Sequence, residues 1–187
     1  MDETLASTTR AAVSTAAVHA DASAVLDRWR PASRELDSVR QALLSYLAAR
    51  PDACARACAP GHLTASALVL DAAGGHALLT LHPRIGTWVQ LGGHIEPGDT
   101  TLAGAALREA TEESGIPGLT VDPEPVHVEV HALTCSLGVP TRHLDVRFLA
   151  HAPAGAVEEI SDESLDLAWW PLADLPESVA FGRALAQ

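Results

Sequence analysis

The segment from Gly92 to Ile116, GGHIEPGDTTLAGAALREATEESGI, constrains the fold more than any other part of the chain. A paired-glycine turn opens it, and Gly115 closes it where a helix commonly stops in the left-handed conformation. Between them, Thr100 to Ser114 has helical periodicity, with Ala103, Ala106, Leu107 and Ala110 on a face suited to packing on a sheet. Glu109, Glu112 and Glu113 stand at i, i+3 and i+4, so three carboxylates share another face. Acids in the last turns oppose the helix dipole, which favours cations there. A divalent ion would compensate them, because hard Mg2+ takes oxygen ligands and commonly bridges carboxylates to phosphates. Arg108 can brace one glutamate through a bidentate pair. A solvated acidic face is the plainer alternative.

The rest of the chain changes period around this segment. Residues 1–23 show no clean period and read as a flexible or partly helical tail, dispensable for folding. From Ala24 to Arg50, Val25, Leu26, Trp29, Leu36, Val39, Leu43, Leu44 and Leu47 recur at helical steps, and Pro31 divides the stretch into two helices. This N-terminal helical segment closes at Pro60-Gly61, so the expected parts are 1–23, 24–61 and 62–187. Strands are expected at 62–71, 76–82, 88–91, 126–134, 142–151 and 166–170, and a short final helix after Pro171. Helices followed by strands around one central helix predict an α+β or an α/β/α layered domain, and the expected class is α/β, as an α/β/α sandwich.

Charge narrows the function classes. The 24 acids against 12 bases, all arginine, leave a formal charge of −12. A duplex nucleic acid or an anionic membrane surface demands a basic face, so neither is expected as a partner. No run approaches the ~18 apolar residues of a membrane span. The start of the chain lacks a basic, strongly apolar leader, so the expected location is cytoplasmic. Cys54, Cys58 and His62 fall at four-residue intervals, but zinc takes four ligands and no second pair lies near. Packed thiols at a helix end are the expectation.

The Gly92–Ile116 segment resembles the signature of the Nudix hydrolases. That signature is a glycine, five residues, a glutamate, seven residues, then R-E-U-x-E-E-x-G-U, where U is a bulky aliphatic. Gly93 opens it, and Arg108-Glu109-Ala110-Thr111-Glu112-Glu113-Ser114-Gly115-Ile116 completes it. Ala110 is smaller than the usual aliphatic. Asp99 stands where the family has glutamate, and eight residues separate it from Arg108, which puts its role as a ligand in doubt. The resemblance spans roughly residues 62–176 and implies a mixed sheet between helices, with the signature as a loop–helix–loop. It also implies hydrolysis of a diphosphate linkage in a small substrate with Mg2+ or Mn2+, and homodimers are frequent in the family.

Site roles follow from the same resemblance. Glu109, Glu112 and Glu113 match the family's metal ligands, joined by the Gly92 carbonyl. Glu163, six residues before Trp169, matches the position of a further glutamate that acts as ligand or as the base for water. Glu158 and Glu159 are its rivals, and Glu112 is the other candidate base, with Arg108 beside it. Arg84, His94 and Arg142 are candidates for substrate phosphates, and Arg147 is a weaker one. His127, His131 and His143 lie on expected strands whose alternation turns some of them inward. Trp88, Trp169 and Trp170 either stack a base or belong to the core. Two other classes stay open: a Nudix-fold binding module without catalysis, and an isopentenyl-diphosphate-type isomerase, for which Cys135 lies too late in the chain.

Overall fold

The computed structural model describes residues 2–134, 138–161 and 164–186. In chain order these form α1 (Asp2–Arg28), α2 (Arg34–Ala49), β1 (His62–Leu70), β2 (His76–His82), β3 (Thr87–Val89), β4 (Leu91–His94) and α3 (Leu102–Ser114). Then come β5 (Thr120–Val121), β6 (His127–Thr134), β7 (Pro140–His151), β8 (Leu167–Pro171) and 3-10 turns over Leu172–Asp174 and Glu177–Ala186. The strands join one sheet in the order β3-β2-β1-β7-β5, with β4 on β1, β6 on β7 and β8 on β2. The expected α/β class is what the chain adopts. Among the described residues no helix is long and apolar enough to cross a membrane.

Two compact units divide the chain, and the strands β1 and β7 run from one into the other. The first comprises Met1–Ala65, His94–Ala105 and Glu124–Val146. In it, Val18, Ala22, Val25 and Leu26 form a buried stripe along α1, continued by Trp29 just past its end, and Leu43 and Leu47 do the same on α2. Ser33 caps α2 by accepting the Leu36 N–H at 3.2 Å. Polar ties join the two helices: Arg40, itself buried, donates to the Leu26 carbonyl at 2.9 Å. His19 Nε2 lies 3.0 Å from the Leu47 carbonyl and 3.1 Å from that of Arg50.

The same unit contains the start of α3, and two side chains satisfy its first orphan N–H groups. Thr101 Oγ1 accepts from Gly104 at 3.0 Å, as an N-cap does. Asp21 on α1 accepts from Leu102 at 2.8 Å and puts negative charge at the positive end of the helix dipole. Helix α1 therefore continues unbroken through residue 23, where the sequence pattern suggested a boundary, and its second half is packed. Between residues 15 and 23 the buried side chains are Val18 and Ala22, too few to show a period.

The second unit comprises Ser66–Gly93, Ala106–Pro123 and Arg147–Gln187. Its core gathers Leu68, Leu70, Ala77, Leu79, Leu172, Leu175 and Val179, with Trp88, Leu149, Trp170 and Phe181 against them. Strands β2 and β8 pair antiparallel over their full lengths of overlap, Ala77 opposite Trp170 and Leu78 opposite Trp169. The single strand expected at 88–91 is two: β3 pairs with β2 and β4 with β1. The two-residue β5, opposite Ala150 and His151, is too short to leave a sequence pattern. On α3 the buried apolar residues are Leu102, Ala105, Ala106 and Ala110, which shifts the expected face so that Leu102 is covered and Leu107 only partly.

Asp21→Ala is expected to destabilise the chain by about 1 kcal/mol, the usual worth of a capping contact, which lowers the melting temperature by roughly 2–4 °C in a domain of this size. Removing residues 1–23 strips Val18 and Ala22 as well, and thermal melting of the truncated chain is expected to show a larger fall; an unchanged melting temperature would return α1 to the status of a tail.

Candidate active site

In the second unit the acidic face of α3 meets the paired glycines. A Cβ placed on Gly93 would lie 2.7–2.9 Å from the carboxylate atoms of Glu109, so only glycine leaves that carboxylate its place. The Gly92 N–H donates to Glu113 Oε2 at 3.0 Å. Arg108 Nη1 lies 3.0 Å from Glu109 Oε1 and 2.9 Å from Glu112 Oε2. The Glu109 side chain is 12% exposed and that of Glu112 60%, which separates the two pairs. Solvent screens Arg108–Glu112, an ordinary i,i+4 pair worth a few tenths of a kcal/mol. Arg108–Glu109 is desolvated, and there the arginine offsets a charge that burial would otherwise penalise.

The far end of α3 is fixed by a loop that returns before β8. Gly115 sits at φ 65°, and its own Cβ would come within 2.9 Å of Glu159 Cβ. The Glu159 N–H donates to the Ser114 carbonyl at 2.7 Å, satisfying one of the helix's last acceptors. Glu158 Oε2 accepts from Trp169 Nε1 at 2.9 Å, so this carboxylate is committed to the β8 tryptophan. Glu163 and Cys135 lie outside the described residues.

Other candidates from the sequence scatter. Asp99 Oδ2 accepts the Glu96 N–H at 2.8 Å and closes a turn in its own loop. Arg84 is exposed on the turn after β2, and Arg142 is exposed on β7. Arg147 is buried, its guanidinium 4.9 Å above the Phe181 ring, an arrangement that holds it in the fold and away from solutes. Trp88 and Trp170 meet edge to face at 5.4 Å against the core. Trp169, with Asp71, His76 and Pro153, lines an open cavity of about 430 Å3 that none of the three glutamates borders.

The first unit brings together residues that no spacing in the sequence connects. The rings of His62 on β1, His94 at the end of β4 and His143 on β7 have centroids 4.9–5.2 Å apart, and His131 on β6 lies 5.8 Å from His143. Burial holds the His62 ring below the usual imidazole range, with the Arg56 charge adding to it. Burial and the neighbouring His62 and His131 push His143 down to about 4. The inward alternation of β6 and β7 was the one legible signal, and it covers His131 and His143 only. His62 instead drew attention through Cys54 and Cys58. Those thiols are packed: Cys58 Sγ is 3.3 Å from the Tyr46 hydroxyl, and burial pushes Cys54 up to about 12.

The NUDIX domain family model matches residues 60–185. The chain belongs to the Nudix family. With that membership comes the family's broad activity, pyrophosphate hydrolysis. Solved structures share the Nudix fold. A Caenorhabditis elegans Ap4A hydrolase is 24% identical, at a TM-score of 0.50, over 66% of this chain and 94% of its own. A Nudix-family hydrolase from Clostridium perfringens is 23% identical, TM-score 0.50, over 67% and 96%. The Escherichia coli dihydroneopterin triphosphate pyrophosphohydrolase is 21% identical, TM-score 0.51, over 67% and 92%. No curated protein matches the sequence significantly. Helices α1 and α2 precede the part that matches the family model.

The contact between Gly93 and Glu109 generates a test specific to this Nudix site. In Gly93→Ala the added methyl meets the far end of a flexible side chain, which can swing aside, so the melting temperature is expected to fall by only a few degrees. The displaced carboxylate is expected to cost about 10²-fold in turnover, as misplacement by an ångström does. Equal turnover in wild type and variant, measured as phosphate release from nucleoside polyphosphates, would show that Glu109 acts from another position.

Proposed function

We propose that this Nudix chain hydrolyses a diphosphate linkage in a nucleoside-diphosphate-linked or related small substrate, with Mg2+ or Mn2+ held on the acidic face of α3. The observation that carries the reading is the convergence of Glu109 and Glu113 on the Gly92-Gly93 turn. The donor set fits a hard cation: carboxylate oxygens, one of them largely desolvated, and the peptide carbonyl of Gly92. Glu109, Glu112, Glu113 and Gly92 would hold the ion. When bound, it supplies positive charge that polarises the diphosphate and stabilises the breaking P–O bond.

The remaining roles belong to the chain itself. Arg108 orients Glu109 through their pair. Glu163 takes a proton from the attacking water, which adds to one phosphorus as the bridging P–O bond breaks and two phosphate-bearing products leave. Glu112, mostly exposed, is the alternative base. Arg84, exposed in the same unit as the three glutamates, binds the substrate's anionic groups, a task that a chain of net charge −12 assigns to a local cation. The same net charge supports a small soluble substrate in preference to duplex nucleic acid or a membrane.

Activity on a panel of dinucleoside polyphosphates, nucleoside triphosphates, nucleotide sugars and ADP-ribose is expected to vanish in EDTA and return with Mg2+ or Mn2+; full activity in EDTA overturns the reading. Glu113→Gln is expected to weaken Mg2+ binding and turnover together. Glu163→Gln is expected to lower kcat by roughly 10²–10⁴-fold with Mg2+ affinity unchanged, the signature of a lost base. Isothermal titration with Mg2+ beside steady-state kinetics reads both, and wild-type turnover by Glu163→Gln moves the base to Glu112.

A further inference from the structure

We propose that His62, His94 and His143 bind a late first-row transition-metal ion, Zn2+ being the physiological choice, through a donor set separate from the α3 carboxylates. Each of the three imidazoles offers one nitrogen, and these ligand atoms all lie within 4.8 Å of one another. All three residues belong to one unit and stand on three different strands, β1, β4 and β7, and β1 pairs with both of the others, so the sheet's own pairing holds them together. A tetrahedral zinc with Zn–N bonds of about 2.0–2.1 Å sets its ligand atoms roughly 3.4 Å apart. Side-chain rotations of about an ångström close that gap.

The tautomer of His62 is decided by its partner. Its Nδ1 lies 3.3 Å from the Cys58 carbonyl, which can only accept, so Nδ1 carries the proton and Nε2 carries the lone pair. The residue is 1% exposed, and that buried Nε2 has no hydrogen-bond partner among the described residues. His143 Nε2 is in the same position. Leaving two buried ring nitrogens unpaired is costly, and native folds rarely do so. A metal ion removes the cost, and a backbone carbonyl on the far nitrogen is the usual way a ligating histidine is oriented.

The chemistry of the donors selects the occupant. A lone pair aimed at the centre repels an anion, so the cluster is not a phosphate subsite. Nitrogen donors are poor for Mg2+, which takes oxygen, and suit zinc, cobalt, nickel and copper. Three protein ligands leave a fourth position for water or another small ligand. The rival occupant is an ordered water, which can donate to two lone pairs.

Co2+ titration of the full-length, chelator-stripped chain separates the two. The expected result is one equivalent of Co2+ with intense visible bands of a tetrahedral ion, displaced by Zn2+. These bands are expected to disappear in His143→Gln and His62→Gln with the far-UV circular dichroism unchanged, and to persist in Glu113→Gln. Zn2+ is also expected to raise the melting temperature of the wild type and not of His143→Gln, as a ligand of the native state does. Absence of the bands at saturating Co2+, their survival in His143→Gln or their loss in Glu113→Gln overturns the proposal. Should both histidine variants unfold, X-ray absorption at the zinc edge of the wild type loaded with one equivalent of Zn2+ decides: a shell of imidazole nitrogens supports the proposal, and a shell of oxygens alone refutes it.

Discussion

Like charges 4 Å apart repel by about 1 kcal/mol in water and by several times that near a protein surface, and the last turns of α3 carry three carboxylates against an unfavourable helix dipole. Their arrangement depends on what relieves that repulsion. Arg108 lies between Glu109 and Glu112, and the Gly92 N–H draws Glu113 toward the turn. Gly93 contributes by omission, since the space of its missing side chain is where the Glu109 carboxylate sits. The paired glycine turn and the acidic helix are thus one construction. Altering either part moves the other.

At its opposite end α3 depends on residues far outside the part that matches the family model. Asp21 satisfies the Leu102 N–H from a helix some eighty residues earlier, while Thr101 caps from within the loop. The signature's irregular spacing has a local counterpart here. Asp99, one residue farther from Arg108 than the family's glutamate, directs an oxygen to the Glu96 N–H and closes a turn just before the cap. The residue that departs from the pattern has a structural task in its own loop.

The histidine cluster obeys a different physics. Its members are held by strand pairing, and burial holds His62 and His143 below the usual imidazole range. The Cys58 carbonyl orients His62, and Cys58 in turn is packed against Tyr46. In the run Cys54, Cys58, His62 the thiols are packed, as expected, and the histidine looks toward two other strands.

Sequence by itself determined what short-range periodicity and spacing can carry. The positions of α2, β1, β2, β6 and β7, the placement of Glu109, Glu112 and Glu113 on one helical face, the glycine turn and the glycine stop were all legible, because each is set by residues within one or two turns of one another. Tertiary structure alone decided which face of α3 turned inward, that α1 packs through Val18 and Ala22, that Arg147 lies over Phe181, and that His62, His94 and His143 meet. Those outcomes depend on strand register and on contacts between residues tens of positions apart. No local pattern encodes which lone pairs will face each other once the sheet has closed on its pairing.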